Sequence, residues 1–150
     1  MTHLGLIDEK LPEVDQFLLR ARLYIRKGKK RIKKGEISTG IIILYDAFIY
    51  SLYWYFLSDK MLKPLLSNGN GTRNDEEHLY LILLTYGRIS GTFDYDKFLK
   101  LTTKALNNKL NKSECEMIIK EFDSFMEELE VIPYNENNLY ISAHLSNLTV

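Results

Sequence analysis

The chain has 150 residues, 45% of them apolar and 27% charged, with twenty Lys and Arg balancing twenty Asp and Glu. That length suits one domain and that composition excludes a disordered chain, while a formal net charge of zero gives no ground for a partner of either sign. The one cysteine, Cys115, excludes an internal disulfide and any multi-Cys zinc site, and it fits a reducing, cytoplasmic location.

Charge is unevenly distributed. Residues 1–34 carry ten basic and four acidic side chains, whereas residues 113–136 carry one Lys and eight acids. An electrically polar molecule is expected, with head-to-tail contacts or one basic face. The opening MTHLGLIDEKLPEVD has no basic stretch followed by an apolar core, so no secretion signal is expected.

Pro12 with Glu13 and Asp15 marks a helix start, since proline suits the first turn and acids face the positive end of the dipole. Val14, Phe17, Leu18, Ala21, Ile25 and Ile32 then draw one apolar stripe as far as Gly35. The far end of this helix is RKGKKRIKK, seven cations in nine positions. After GEISTG, the segment IIILYDAFIYSLYWYFLSDKML is apolar on every face. It predicts a central buried helix closed by Pro64 and the turn cluster SNGNGT. The run Ile41 to Leu57, broken by Asp46 and four tyrosines, falls short of the roughly twenty residues of a membrane span, so no membrane is expected.

NDEEHLYLILLTYG predicts a third helix and TFDYDKFLKLTTKALNNKL a fourth, with Phe98, Leu101 and Leu106 on its apolar side. A fifth opens on Ser113 with Glu116 as a Ser-x-x-Glu capping box and runs to Pro133. The tail LYISAHLSNLTV suits either an extended strand or a last helical turn. Five helices with short links, and no alternating run in the body, predict an all-α up-and-down bundle, core about 12–132 and tail 133–150. The first helix pair has a tetratricopeptide outline, but nothing recurs at that period.

Among chemistry-bearing residues, GTRNDEEHLY stands out. With Asn74 as the N-cap, Glu77 stands at N3, and Arg73 and His78 take the two positions whose side chains meet across a helix start; Thr72 with Asp75 is a competing frame. Such a pair offers a proton acceptor for a ribose 2′-hydroxyl and a cation for a phosphate, without a metal. Against this, Asp75, Glu76 and Glu77 lie between them and repel a phosphate backbone. The basic run Arg26, Lys27, Lys29, Lys30, Arg31, Lys33 and Lys34 is a second candidate RNA surface, weighed against a solvated helix face. Asp46 is a candidate buried polar residue that must find donors, such as a tyrosine hydroxyl or a cation of the first helix. Tyr45, Tyr50, Tyr53, Tyr55 and Trp54 are expected in the core or at a dimer interface. His3 and His144 have no partner at metal-ligand spacing, no phosphate loop is present, and Cys115 is taken as structural; no metal or cofactor is expected.

Arg73, Asn74, His78 and Tyr80 form an R-N-x-x-x-H-x-Y pattern. This resembles HEPN domains, small all-helical domains found in ribonuclease toxins and often encoded beside a minimal nucleotidyltransferase. The resemblance covers residues 73–80 and the bundle layout. It implies a metal-independent endoribonuclease with His78 as acid/base, Arg73 as phosphate clamp, Asn74 as polar support and Tyr80 as a neighbouring contact. It further implies a homodimer with both motifs in one cleft, and a nucleotidyltransferase partner able to modify Tyr80. The family's apolar intervening positions are Asp75, Glu76 and Glu77 here. The competing reading is a non-catalytic module that docks onto a nucleotidyltransferase or another protein; a tetratricopeptide-like adaptor is the third.

Overall fold

Pro12 stands at the N-cap of the first helix, α1 (Glu13–Lys33), where its carbonyl accepts from the Asp15 and Gln16 amides. The computed structural model describes residues 12–66 and 76–142. Within them α1 is followed by α2 (Ile37–Leu57), α3 (Lys63–Leu66), α4 (Glu76–Thr85), α5 (Tyr95–Leu106) and α6 (Lys112–Glu128). A two-stranded antiparallel hairpin, β1 (Tyr134–Asn135) and β2 (Asn138–Ser142), ends the described chain. The fold is an all-α bundle.

The α1–α2 hairpin is the largest contact in the molecule. Gly35, at φ 88°, adopts the left-handed conformation that lets the chain reverse, and the Glu36 amide donates back to the Arg31 carbonyl. About two turns before this reversal and one turn after it, Gly28 and Gly40 let the two backbones nearly touch. A Cβ on Gly40 would lie 2.5 Å from Ile32 Cγ1 and 2.8 Å from the Gly28 carbonyl oxygen, and one on Gly28 would lie 2.8 Å from Leu44 Cδ2.

Helix α2 runs 21 residues, beginning at Ile37 rather than Ile41, and so reaches the length and apolarity of a membrane span. It is nonetheless the core helix: α1, α3, α4, α5 and α6 all pack on it, covering Leu44, Ala47, Phe48, Leu52 and Phe56 completely or nearly so. It ends at Leu57, well before Pro64. The Asp59 carboxylate then accepts from the Met61 and Leu62 amides at 2.9 and 3.1 Å and pairs with Arg88, turning the chain into the four-residue α3. Proline sits inside that first turn, where its missing amide costs nothing.

An aromatic cluster fills the centre. Phe48 lies 5.1 Å from Phe125 and 5.2 Å from Phe98, and Phe93 lies 4.6 Å from Phe125. The tyrosines of α2 fan out around this core. Tyr50 and Tyr53 meet Phe17 and Tyr24 of α1, while Tyr45 stacks against Phe48 and Phe98.

The cap of α6 differs from the sequence expectation. Asn111 is the N-cap, its Oδ1 accepting from the Glu114 amide at 2.8 Å while Glu114 reaches back to the Asn111 amide at 3.2 Å. This frame starts two residues before Ser113 because Glu114 serves both as the box residue and as the partner of Lys104 on α5. As far as Ser142 the tail takes the extended alternative, and residues 143–150 lie outside the described residues. Asn135 Oδ1 accepts from the Asn137 and Asn138 amides, an Asx turn that reverses the strand, and Tyr134 pairs with Ser142.

Arg22 holds the hairpin to α1. The side chain is 1% exposed, and it donates from Nε to the Val131 carbonyl and from Nη1 to the Leu139 carbonyl, both at 2.8 Å. Burial lowers its pKa to about 10.

Two stability predictions follow from these contacts. Gly40→Ala gains up to ~1 kcal/mol of helix propensity but forces overpacking that costs about 1–3 kcal/mol. A net loss of about 1–2 kcal/mol is expected by urea denaturation; an unchanged or raised midpoint would show that the helices separate freely. Arg22→Leu removes both donors and leaves two carbonyls without them, an expected loss of about 2–4 kcal/mol. Limited proteolysis should then cut near Glu136 and Asn137 faster than in the parent protein.

Candidate functional site

The sequence points to two places, the start of α4 and the far half of α1. Of the motif residues, Arg73 and Asn74 lie outside the described residues, as do Thr72 and Asp75. His78 and Tyr80 lie in the first turns of α4 and face different ways. His78 is exposed, beside exposed Glu77.

Tyr80 turns inward. It is 8% exposed, stacks on Tyr95 at 5.5 Å, and donates from its hydroxyl to the Phe93 carbonyl at 2.6 Å. Burial first, then Asp94, Glu128 and Asp96, push the phenol above its ordinary pKa. The tyrosine thus anchors α4 to the core, and its hydroxyl is not presented to a substrate or a modifying enzyme. Two residues apart on a helix means about 200° of rotation, which lets His78 face solvent while Tyr80 is covered.

Glu76 accepts a hydrogen bond from Tyr45 at 2.9 Å, which ties the first turn of α4 to α2. Burial, then hydrogen bonding to Tyr95 and Glu76, pushes the Tyr45 phenol up. A shallow depression of about 200 Å³ lies between α4 and the start of α5. Its rim holds Glu77, Asp94 and Asp96, with Tyr80 and Tyr95 below. Asp94 also caps α5, accepting from the Lys97 amide at 3.0 Å. The described surface beside the motif is therefore acidic, as Glu76 and Glu77 led one to expect.

The basic run divides. At about 100° per residue, Gly28 and Ile32 face α2, and the cations fall into two strips, Arg26/Lys29/Lys30/Lys33 and Lys27/Arg31/Lys34. In the second strip Arg31 pairs with Glu36 at 2.8 Å. The first lines an open groove of about 490 Å³ between α1, α6 and the hairpin. Ile32, Ile119 and Tyr134 form its apolar floor and Glu136 its one acid. Lys29 pairs with Asp123 of α6 at 2.7 Å. Burial raises the Tyr134 phenol, with Arg26 and Arg22 acting in the opposite direction.

The basic half of α1 thus neighbours the acidic α6, with Lys29 and Asp123 paired between them, while four cations share one flank of α1. It also adds Ile119 and Tyr134, which sequence reasoning missed. Nothing local to YNENN or to the α6 stripe says which helix they face; the i, i+3, i+4, i+7 spacing of Arg26, Lys29, Lys30 and Lys33 was the readable signal.

Asp46 is half-buried rather than enclosed, and burial raises its pKa. Among the described residues it makes no hydrogen bond or ion pair, so the expected donor does not reach it; it acts on Tyr24 through charge alone. Cys115 is buried, and burial together with Glu116 raises its thiol, which suits a structural role. Among the described residues no group of three or more His, Cys, Asp or Glu could hold a metal ion.

Comparison with protein-family models, curated proteins and solved structures finds no match to this chain.

Tyr80→Phe separates anchoring from chemistry. It should lower stability by about 1–2 kcal/mol through the lost hydrogen bond to Phe93 and leave any RNA cleavage within about twofold. A large loss of cleavage without a loss of stability would return the hydroxyl to the active site.

Proposed function

We propose that the chain is a HEPN-type helical domain that acts on RNA as a metal-independent endoribonuclease. The observation that carries this reading is His78, exposed in the first turns of α4 and five residues after Arg73 in the family's spacing. In the reaction His78 accepts the proton of a ribose 2′-hydroxyl, whose oxygen attacks the adjacent phosphorus. The bond from phosphorus to the 5′-oxygen breaks, leaving a 2′,3′-cyclic phosphate and a 5′-hydroxyl. Arg73 stabilises the charge on the phosphoryl oxygens, and Asn74 supports it. A second copy of His78, brought by homodimerisation, protonates the leaving oxygen. Tyr80 acts by holding α4 against Phe93, which fixes the direction of His78.

The acidic rim of Glu77, Asp94 and Asp96 favours a second reading, a non-catalytic module that docks a basic protein surface such as that of a nucleotidyltransferase.

Purified protein incubated with RNA in EDTA discriminates the two. Cleavage should occur, and His78→Ala should slow it by about 10²–10⁴-fold, the usual contribution of a positioned acid/base, with the helical circular dichroism unchanged. Absence of cleavage, or equal cleavage in both proteins, leaves the docking reading.

A further inference from the structure

We propose that the groove between α1, α6 and the C-terminal hairpin binds a short stretch of single-stranded RNA, its phosphates on Arg26, Lys30 and Lys33 and a base against Tyr134. This rests on RNA being what the chain acts on, and it names a surface that the motif at α4 does not contain.

The charge balance comes first. Four cations line the groove and a single acid, Glu136, opposes them. Lys29 is already neutralised by Asp123, but Arg26, Lys30 and Lys33 make no ion pair among the described residues. They occupy one strip of α1 and span seven residues, about 10 Å along the helix. A strip of cations along one wall is the arrangement that gains affinity by releasing counterions from a phosphate chain.

The floor decides which anion. Ile32, Ile119 and Tyr134 are each half-buried, so apolar surface and one aromatic ring remain open within the cationic wall. Single-stranded nucleic acid is held by this combination, a charged track beside an aromatic on which a base can lie. An acidic peptide would satisfy the cations and leave the ring without a planar partner. The volume of about 490 Å³ falls inside the roughly 300–1,000 Å³ of ligand-sized pockets, and the groove is open rather than closed, as a continuing strand requires.

The hairpin is part of the site and not an appendage. Tyr134 and Glu136 reach the groove because Arg22 clamps Val131 and Leu139 onto α1. The latch that stabilises the fold therefore also builds one wall of the groove.

Fluorescence anisotropy with a labelled 2′-O-methyl oligouridylate tests this on the full chain, since an RNA without free 2′-hydroxyls is bound but not cut. Three neutralised phosphates predict that affinity falls about 20-fold between 50 and 200 mM salt. In Lys30→Gln/Lys33→Gln, both exposed positions, the affinity should drop about tenfold and the same salt step should cost only about threefold. The pair Lys100→Gln/Lys109→Gln, equally exposed but on α5 and beyond it, should leave both unchanged. Equal losses in the two pairs, or no loss in the first, would overturn the proposal. Competition by oligoglutamate as strong as by unlabelled RNA would make this an acidic-peptide site, and equal competition by inorganic polyphosphate would remove the base from Tyr134; either result overturns it. Cleavage lost in His78→Ala with groove binding intact, or the converse, tells failure of one proposal from failure of the other.

Discussion

The close approach of α1 and α2 at Gly28 and Gly40 constrains everything else in this molecule. Neither position has room for a methyl group, so the two helices meet backbone to backbone and can slide or rotate very little past each other. That contact sets which residues of α1 face α2, and therefore which do not. Because Gly28 lies within the run of cations, facing it inward drives Arg26, Lys29, Lys30 and Lys33 to one flank of the helix and Lys27, Arg31 and Lys34 to the other. A stretch that reads as uniformly basic becomes two strips with different surroundings, one of them over a groove.

Burial of Arg22 is the second constraint. A charged group withdrawn from water is costly unless its donors are matched, and here two carbonyls from beyond α6 match them. The same geometry carries the chain out of the aromatic core at Val131 and back across α1, so that a hairpin of little intrinsic stability gains a fixed seat. The acidic α6 then comes to rest beside the basic half of α1. Lys29 and Asp123, each about one-third exposed, contribute little energy as an ion pair, but they show that opposite charges distant in sequence are neighbours in space.

At α4 the same residues serve opposite ends. Glu76 and Glu77 suit a helix start, and Glu76 ties that start to Tyr45, while Glu77 with Asp94 and Asp96 makes the depression between α4 and α5 acidic. The groove on α1, by contrast, sets four cations against one acid. In the readings proposed above, holding RNA and cutting it fall to different helices.

Much of the fold was legible in the residues. The stripe from Phe17 to Ile32 announced α1, the apolar mass around Phe48 announced a central helix, and Pro12, Gly35 and the acids before His78 marked ends, because helix periodicity and capping are local properties. What local chemistry could not decide were competitions between equivalent frames and the identity of distant neighbours. Asn111 prevailed over Ser113 as a cap because Glu114 also meets Lys104 from another helix. Asn138–Ser142 became a strand seated on α1 because Arg22, more than a hundred residues earlier, supplies a donor to Leu139. Tyr80, a site residue by spacing, is buried with its hydroxyl on the Phe93 carbonyl, and only the position of Phe93 tells which side of α4 is covered. By itself the sequence determined the helices and the residue types available for chemistry. The tertiary structure decided which face each helix turns to water, because that depends on backbone contacts and buried donors brought together from remote parts of the chain.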